Sequence, residues 1–425
     1  MAMEPGSWVR IHARNEVLEG TLLPEEKHFT VLKLKNGYNL GIKKNAIKSI
    51  ESVALPQRHA AVPSQEALEG GLPTIAILHT GGTIASKIDY ATGAVIASFT
   101  PAELLAMFPE MRGMANIKAR LVANMMSENA RFSFYNALAK EIEAEIGTGV
   151  AGIIVTHGTD TMHYTSAAIS FLVNPPPIPI LFVGAQRSAD RGSSDAGLNL
   201  LSAILFITQA KVPCVGICMH ESQNDDYCHV LPGLKVRKMH TSRRDAFRPV
   251  NAKPIARVSV AEKRIELIAI PQPVNRPPVF TSFNGGLCIP VIKAHPNMFA
   301  QEFPAKADGI VVEGTGLGHL PIGDEGMTSE NLDIKKKLKR LAKRTPIVMA
   351  AQTVYGRVDL NVYSAGRELQ RLGIIGHRSD MTPEAAFIKL AWLLSNRAKE
   401  DIPRLFMENL AGELSERSEA DDFLR

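Results

Sequence analysis

Apolar and polar residues alternate in short stretches near the front of the chain, at 7–11, 19–23, 28–34 and 38–42, whereas beyond residue 72 apolar residues gather into unbroken runs. Alternation with period two predicts half-buried strands, and Asn36-Gly37 between two such stretches is a strong hairpin signal. Residues 1–53 are therefore expected to form a small closed β-barrel of the SH3 or Sm type. Residues 54–71, rich in Ala, Pro, Gln and Gly, have the composition of a linker. The runs at 74–78, 152–155, 180–183 and 309–313 read as strands buried on both faces, as in parallel sheets covered by helices. Helical spacing marks 332–341, with Leu332, Leu338 and Leu341 apolar and Ile334 beside them. A second helix opens at Thr382, a capping residue, with Pro383 in its first turn and Phe387, Leu390, Ala391 and Leu394 at core spacing. The fold class expected is α/β with mostly parallel sheets behind the barrel.

At 425 residues the chain exceeds one ordinary core. It has no charged-then-apolar leader and no apolar span of membrane length, which makes the cytoplasm the default expectation. The net charge of +5 is small for this length and does not by itself point to nucleic acid. Cys214 and Cys218 share one face of an apolar run and read as buried thiols. With no CxxC pair, a structural zinc is not expected of them or of Cys228 and Cys288, and a reducing compartment argues against disulfides. Gly314, Gly316 and Gly318 imitate a dinucleotide loop, but His319 occupies the place of the fingerprint's third glycine, so a sharp turn after the strand is the better reading. No GxxxxGK[ST] stretch is present.

Chemistry is concentrated in two loops, TGGTIAS at 80–86 and THGTDT at 156–161, each directly after a buried apolar run. In an open α/β sheet, loops past the carboxyl ends of strands face a common crevice. Gly81 and Gly82 allow a tight turn that can offer amide hydrogens to an oxyanion, and Thr83 projects from it. A threonine that merely caps the next helix is the alternative for an isolated TGGT. The hydroxyl needs a base before it can attack, and Asp160, beside Thr159, is a candidate member of that apparatus.

These two blocks together resemble the bacterial-type asparaginase/glutaminase family. The likeness extends through GAQR at 184–187, the Ser-Asp and Asn stretch at 194–199 and VRKMHT at 236–241, and covers roughly residues 72–400. It implies a two-lobed asparaginase-like body, with the larger lobe and its active site at 72–276, a break near Arg276-Pro277-Pro278, and the smaller lobe and tail at 277–425. It also implies that Thr83 is the nucleophile of an acyl-enzyme and that Tyr90 closes over the substrate on a loop. Thr159, Asp160 and Lys238 would form the second catalytic cluster. A desolvated lysine oriented by a carboxylate can serve as a base, while a solvated surface lysine is the alternative reading of the basic stretch around 235–244. Ser127 aligns with the grip on the substrate's α-carboxylate and Glu128, where many relatives have glutamine, with the grip on its α-ammonium; a plain helix cap by Ser127 is the alternative.

The barrel ahead of such a body resembles the D-subunit family of archaeal-type glutamyl-tRNA(Gln) amidotransferases. That resemblance implies glutamine as substrate, with ammonia passed to a separate E subunit that binds ATP and Mg²⁺ and converts Glu-tRNA(Gln) to Gln-tRNA(Gln). It further implies a pair of these chains within a heterotetramer, tRNA held mainly by the E subunit, and no cofactor, metal or membrane contact in this chain. A free-standing asparaginase with an appended barrel and a silent scaffold are the other readings. The basic run at 335–344 reads as a solvated helix face, with a secondary tRNA contact as its alternative. Residues 413–425 are charged enough for fraying or for a partner contact.

Overall fold

A computed structural model describes residues 4–14, 16–24, 26–34, 39–53, 70–82, 84, 86–88, 95–97, 104–105, 107–188, 192–272 and 274–423, with the side chains of 86–88, 95–97 and 422 outside that set. Strands β1 (Trp8–Ala13), β2 (Val17–Leu22), β3 (Phe29–Leu34), β4 (Asn39–Lys43) and β5 (Ile47–Ser52) form an antiparallel sheet ordered β4-β3-β2-β1-β5. The two edges, β4 and β5, are joined only by the 3-10 turn Lys44–Ala46. Such a connection reaches at most roughly 14 Å, against about 19 Å across five flat strands. The sheet must therefore curl until its edges approach, giving the small barrel around Val9, Ile11, Leu22, Leu32 and Ile42. Asn36, Gly37 and the linker residues 54–69 lie outside the described residues.

Behind the barrel an eight-stranded sheet runs in the order β18-β17-β14-β13-β12-β10-β6-β9. Its parallel part comprises β6 (Thr74–His79), β9 (Asn116–Leu121), β10 (Gly152–Thr156), β12 (Ile180–Val183) and β13 (Val215–His220). Antiparallel strands β14 (Cys228–Pro232), β17 (Ala256–Ser259) and β18 (Arg264–Leu267) complete one side. All residues of β10 and β12 are buried. Alternation sorts them into two layers. Ile153, Val155, Ile180 and Phe182 pack with helices Phe132–Gly147 and Met162–Leu172, and Ile154, Leu181 and Val183 with helix Ala196–Leu205.

Three two-stranded pieces hang from this frame: β7 (Ser86–Ile88) with β8 (Val95–Ala97), β11 (Val173–Asn174) with β19 (Val279–Phe280), and β15 (Val236–Lys238) with β16 (Phe247–Pro249). A four-stranded parallel sheet, β20 (Val291–Lys293), β21 (Ile310–Gly314), β22 (Ile347–Ala351) and β23 (Ile374–Ile375), forms the core of the second lobe. One face carries Ile310, Val312, Ile347 and Met349 against helix Asn331–Ala342, which buries Ile334, Leu338 and Leu341. The inward residue of the first turn is thus Ile334, with Leu332 only half-buried. Val311, Val348 and Ala350 point the other way and join the first lobe's core through helix Pro383–Asn396. One continuous apolar layer therefore links the two sheets. Thr382 caps that helix, its hydroxyl accepting from the Ala385 amide at 3.2 Å.

After β21 the backbone turns back at once, with the Thr315 amide on the His319 carbonyl at 3.0 Å and Gly316 and Gly318 at positive φ. The tail is held further along than its charge suggests: Glu413 is fully buried in an ion pair with Lys389 at 2.5 Å and accepts from the amides of Leu410 and Ala411. Cys214, Cys218 and Cys228 are buried as free thiols in one core layer, and Cys288 is exposed. Among the described residues no helix is long and apolar enough to cross a membrane.

Candidate active site

β6 and β10 are parallel neighbours with His79 opposite Thr156, so the loops that follow them leave the sheet side by side. The Thr80 amide and hydroxyl both donate to the Thr156 carbonyl at 3.0 Å, tying the loops at their roots. Gly81 and Gly82 then have φ of +117° and +87°. A side chain on Gly81 would strike the Met125 carbonyl, and a Cβ on Gly82 would lie 2.7 Å from the Gly158 amide nitrogen. Only glycine accepts both the left-handed backbone and that approach. Thr83 follows directly in sequence; it and Tyr90 lie outside the described residues.

The second loop carries Thr159, half-buried, and Asp160, exposed. Lys238 comes from the end of β15, held in register by its pairing with Phe247 of β16. Its ammonium donates to Thr159 Oγ1 at 2.9 Å and to Asp160 Oδ1 at 2.6 Å. The side chain of Lys238 is only 10% exposed, which disposes of a solvated surface lysine. Of its basic neighbours Lys235 and Arg244 are buried and Arg237 half-buried, while Arg243 is exposed. Lys235 is buried against Asp380 at 2.7 Å, Arg244 against Asp225 at 2.6 Å, and Arg237 meets Glu384 at 3.1 Å.

Ser127 is buried at the start of a single 3-10 turn, Ser127–Asn129, rather than capping a helix. It packs against Gly158, where a Cβ would come within 2.9 Å of the Ser127 hydroxyl, and its carbonyl accepts from the Thr161 hydroxyl at 2.6 Å. The structure thus brings Ser127, Thr159, Asp160, Lys238 and the two glycines before Thr83 to one end of the sheet. Glu128 is next to Ser127 and exposed.

Three supports were not evident from the motifs. His157 donates from Nδ1 to the Gly158 carbonyl at 2.7 Å and accepts at Nε2 from Thr165 at 3.0 Å, so the neighbours fix a neutral tautomer. Burial lowers its pKa to about 4, against the raising effect of the Gly158 bond. Asp195, fully buried, accepts from the backbone amides of Gln186 and Arg187 at 3.0 Å and from the Asn199 side chain at 3.2 Å, anchoring the GAQR loop. Glu384, whose carboxyl burial pushes upward while Arg237 opposes it, fixes the residue before Lys238 from the second lobe's helix. The Asp and Asn spaced along 194–199 carried a signal for the second of these; His157 stands within the second loop's own motif and is fixed by local bonds, while Glu384 depends on a contact distant in sequence. Among the described residues no group of three or more His, Cys, Asp or Glu is placed to hold a metal ion.

Comparison with known proteins covers nearly all of the chain. Residues 74–271 match the family "Asparaginase, N-terminal", 289–406 the "Glutaminase/Asparaginase C-terminal domain", and 3–53 the "GatD N-terminal domain". The thermostable L-asparaginase from Thermococcus kodakarensis superposes with a TM-score of 0.71 at 29% identity, covering 80% of this chain and 99% of that one. L-asparaginase I from Vibrio cholerae has the same fold, with a TM-score of 0.68 at 24% identity over 81% of this chain and 99% of that one. The D subunit of glutamyl-tRNA(Gln) amidotransferase from Methanococcus maripaludis is 39% identical over 97% of this chain and 99% of its own length. The corresponding D subunit of Archaeoglobus fulgidus is also 39% identical, over 96% and 95%. By that full-length similarity, barrel included, the chain belongs to the D-subunit family of glutamyl-tRNA(Gln) amidotransferases.

Proposed function

We propose that this chain is the glutamine-hydrolysing component of a tRNA-dependent amidotransferase. Thr83 attacks the side-chain amide of glutamine, ammonia leaves, and water cleaves the resulting ester to glutamate and free threonine. The ammonia passes to an E subunit that uses ATP and Mg²⁺ to convert Glu-tRNA(Gln) to Gln-tRNA(Gln). The observation that carries this reading is the Lys238 ammonium bonded at once to Thr159 and Asp160, beside the loop that leads into Thr83. In the reaction Lys238, neutral after losing its proton to solvent, takes the proton of the attacking hydroxyl through Thr159 and returns it to the amide nitrogen as ammonia leaves, and Asp160 holds the lysine in place.

Ser127 meets the substrate's α-carboxylate, and Glu128 with Asp160 its α-ammonium. Tyr90 closes over the bound amino acid. Two such chains form the centre of a heterotetramer, with tRNA held mainly by the E subunit. The boundaries 1–53, 54–71, 72–276 and 277–425 divide barrel, linker, catalytic lobe and second lobe. A free-standing asparaginase with an appended barrel is disfavoured because the relatives named as amidotransferase components match the barrel as well as the body.

The test is amide release from glutamine and from asparagine, by the chain alone and then with the E subunit, Glu-tRNA(Gln) and ATP. Glutamine hydrolysis that rises in the full mixture supports the proposal. Vigorous asparagine hydrolysis indifferent to the E subunit overturns it.

A further inference from the structure

Residues 331–344 carry seven basic side chains and one acid, Asp333, so this single segment holds more net positive charge than the chain's overall +5. Helix Asn331–Ala342 turns Ile334, Leu338 and Leu341 inward and leaves the charge outside. Lys335 is paired with Glu368 at 3.0 Å and Lys336 with Asp333 at 2.8 Å. Lys339, Arg340 and Lys343 are exposed or nearly so and make no ion pair with a described residue.

The helix dipole favours cations in the last turn and accounts for Lys339 and Arg340. It does not account for what lies just past that turn. There an open cavity of about 370 Å³ is lined by Cys288, Lys306, Ala307, Asp308, Arg344 and Thr345. Arg344 donates to the Ala305 carbonyl at 2.9 Å, which fixes its guanidinium at the rim, and Lys399 from a third segment donates to the Arg344 carbonyl. The one acid in the lining, Asp308, accepts from the Cys288 amide at 2.8 Å.

We infer that this face docks an RNA backbone, with the outer side of helix Asn331–Ala342 following successive phosphates and the cavity beyond it receiving one more. The inference rests on the reading above, in which the acceptor is a tRNA. An acidic protein surface fits less well. Protein interfaces centre on desolvated apolar and aromatic anchors and are poor in lysine, whereas phosphate binding uses dense Lys and Arg alone. Among the described residues, none of the exposed large apolar side chains lies on this helix or in the cavity lining.

The experiment measures binding of a tRNA(Gln) transcript to the full chain and to its complex with the E subunit over a range of salt concentrations. The variants are Lys339→Gln/Arg340→Gln/Lys343→Gln together and Lys306→Gln alone. Each lost phosphate contact should flatten the slope of log K against log salt by about 1. The triple variant should bind roughly tenfold or more weakly at low salt, with amide hydrolysis unchanged. Lys306→Gln should give a smaller change of the same kind. Unchanged affinity and slope in both variants overturns the inference, as does weakened association with the E subunit while RNA binding stays intact. Absence of amide hydrolysis in the unsubstituted chain would count against the glutaminase reading alone, because the RNA measurement does not depend on it.

Discussion

A Cβ on Gly82 would sit 2.7 Å from the amide nitrogen of Gly158, so two loops 76 residues apart in sequence touch backbone to backbone where one leads into Thr83 and the other into Thr159. Gly82→Ala must move one loop or the other, and the positive φ adds strain. Such a substitution costs about 1–3 kcal/mol. It should lower the melting temperature by several degrees and amide hydrolysis by at least about a hundredfold. A folded Gly82→Ala protein with ordinary turnover would show that the contact does not position the nucleophile.

Lys238 and Thr159 act as a unit if the hydrogen bond between them carries proton transfer. Lys238→Met and Thr159→Ala should each reduce kcat for glutamine by about 10³-fold, and the double variant should be little worse than either single one. Steady-state kinetics on all three proteins, with circular dichroism to confirm folding, checks this. Multiplicative losses would mean that the two side chains contribute separately.

His157 predicts the acid behaviour. Its folded pKa of about 4 lies below the ordinary value of 6.5, so between those values the unfolded chain binds more protons than the folded one. The contribution of this residue, on the order of 3 kcal/mol, should be lost as pH drops through 6.5 and be exhausted below about 4, with buried His79 and His163, also shifted down, adding losses of the same sign. Urea midpoints from pH 7.5 to 4 should show the loss, and His157→Gln should make the profile shallower. An unchanged profile in that variant would remove His157 as the cause.

The architecture is readable in the sequence where it depends on local pattern. The runs at 74–78, 152–155 and 180–183 form β6, β10 and β12, because strands buried on both faces need no partner pattern to be recognised. Thr382 and Pro383 announce a helix start by capping chemistry alone. The tight turn ahead of position 83 is legible in its loop, since glycines at 81 and 82 after a buried strand permit the left-handed backbone found there. The meeting of Lys238 with Thr159, 79 residues earlier, comes only through resemblance to a family, because no local pattern encodes it. Glu413 opens a charged tail in the sequence, yet it is buried: charge shows in sequence, while the partner that permits burial, Lys389, does not.

That buried pair supplies a stability test. Both side chains have no exposed area, so Lys389→Met leaves the Glu413 carboxylate without its cation and should cost about 3–5 kcal/mol. Replacing both by Met should recover most of the loss, since an isolated buried charge is the main penalty. Chemical denaturation of the three proteins checks it. A double variant as unstable as the single one would place the cost in packing.

The most direct measurement is intact-protein and peptide mass spectrometry of the complex mixed with glutamine and quenched during turnover, comparing the unsubstituted chain with Thr83→Ala and Lys238→Met. The account predicts a glutamyl ester on Thr83 in the unsubstituted chain, none in Thr83→Ala, and slowed formation in Lys238→Met. An ester on another residue, or undiminished hydrolysis in Thr83→Ala, would contradict it.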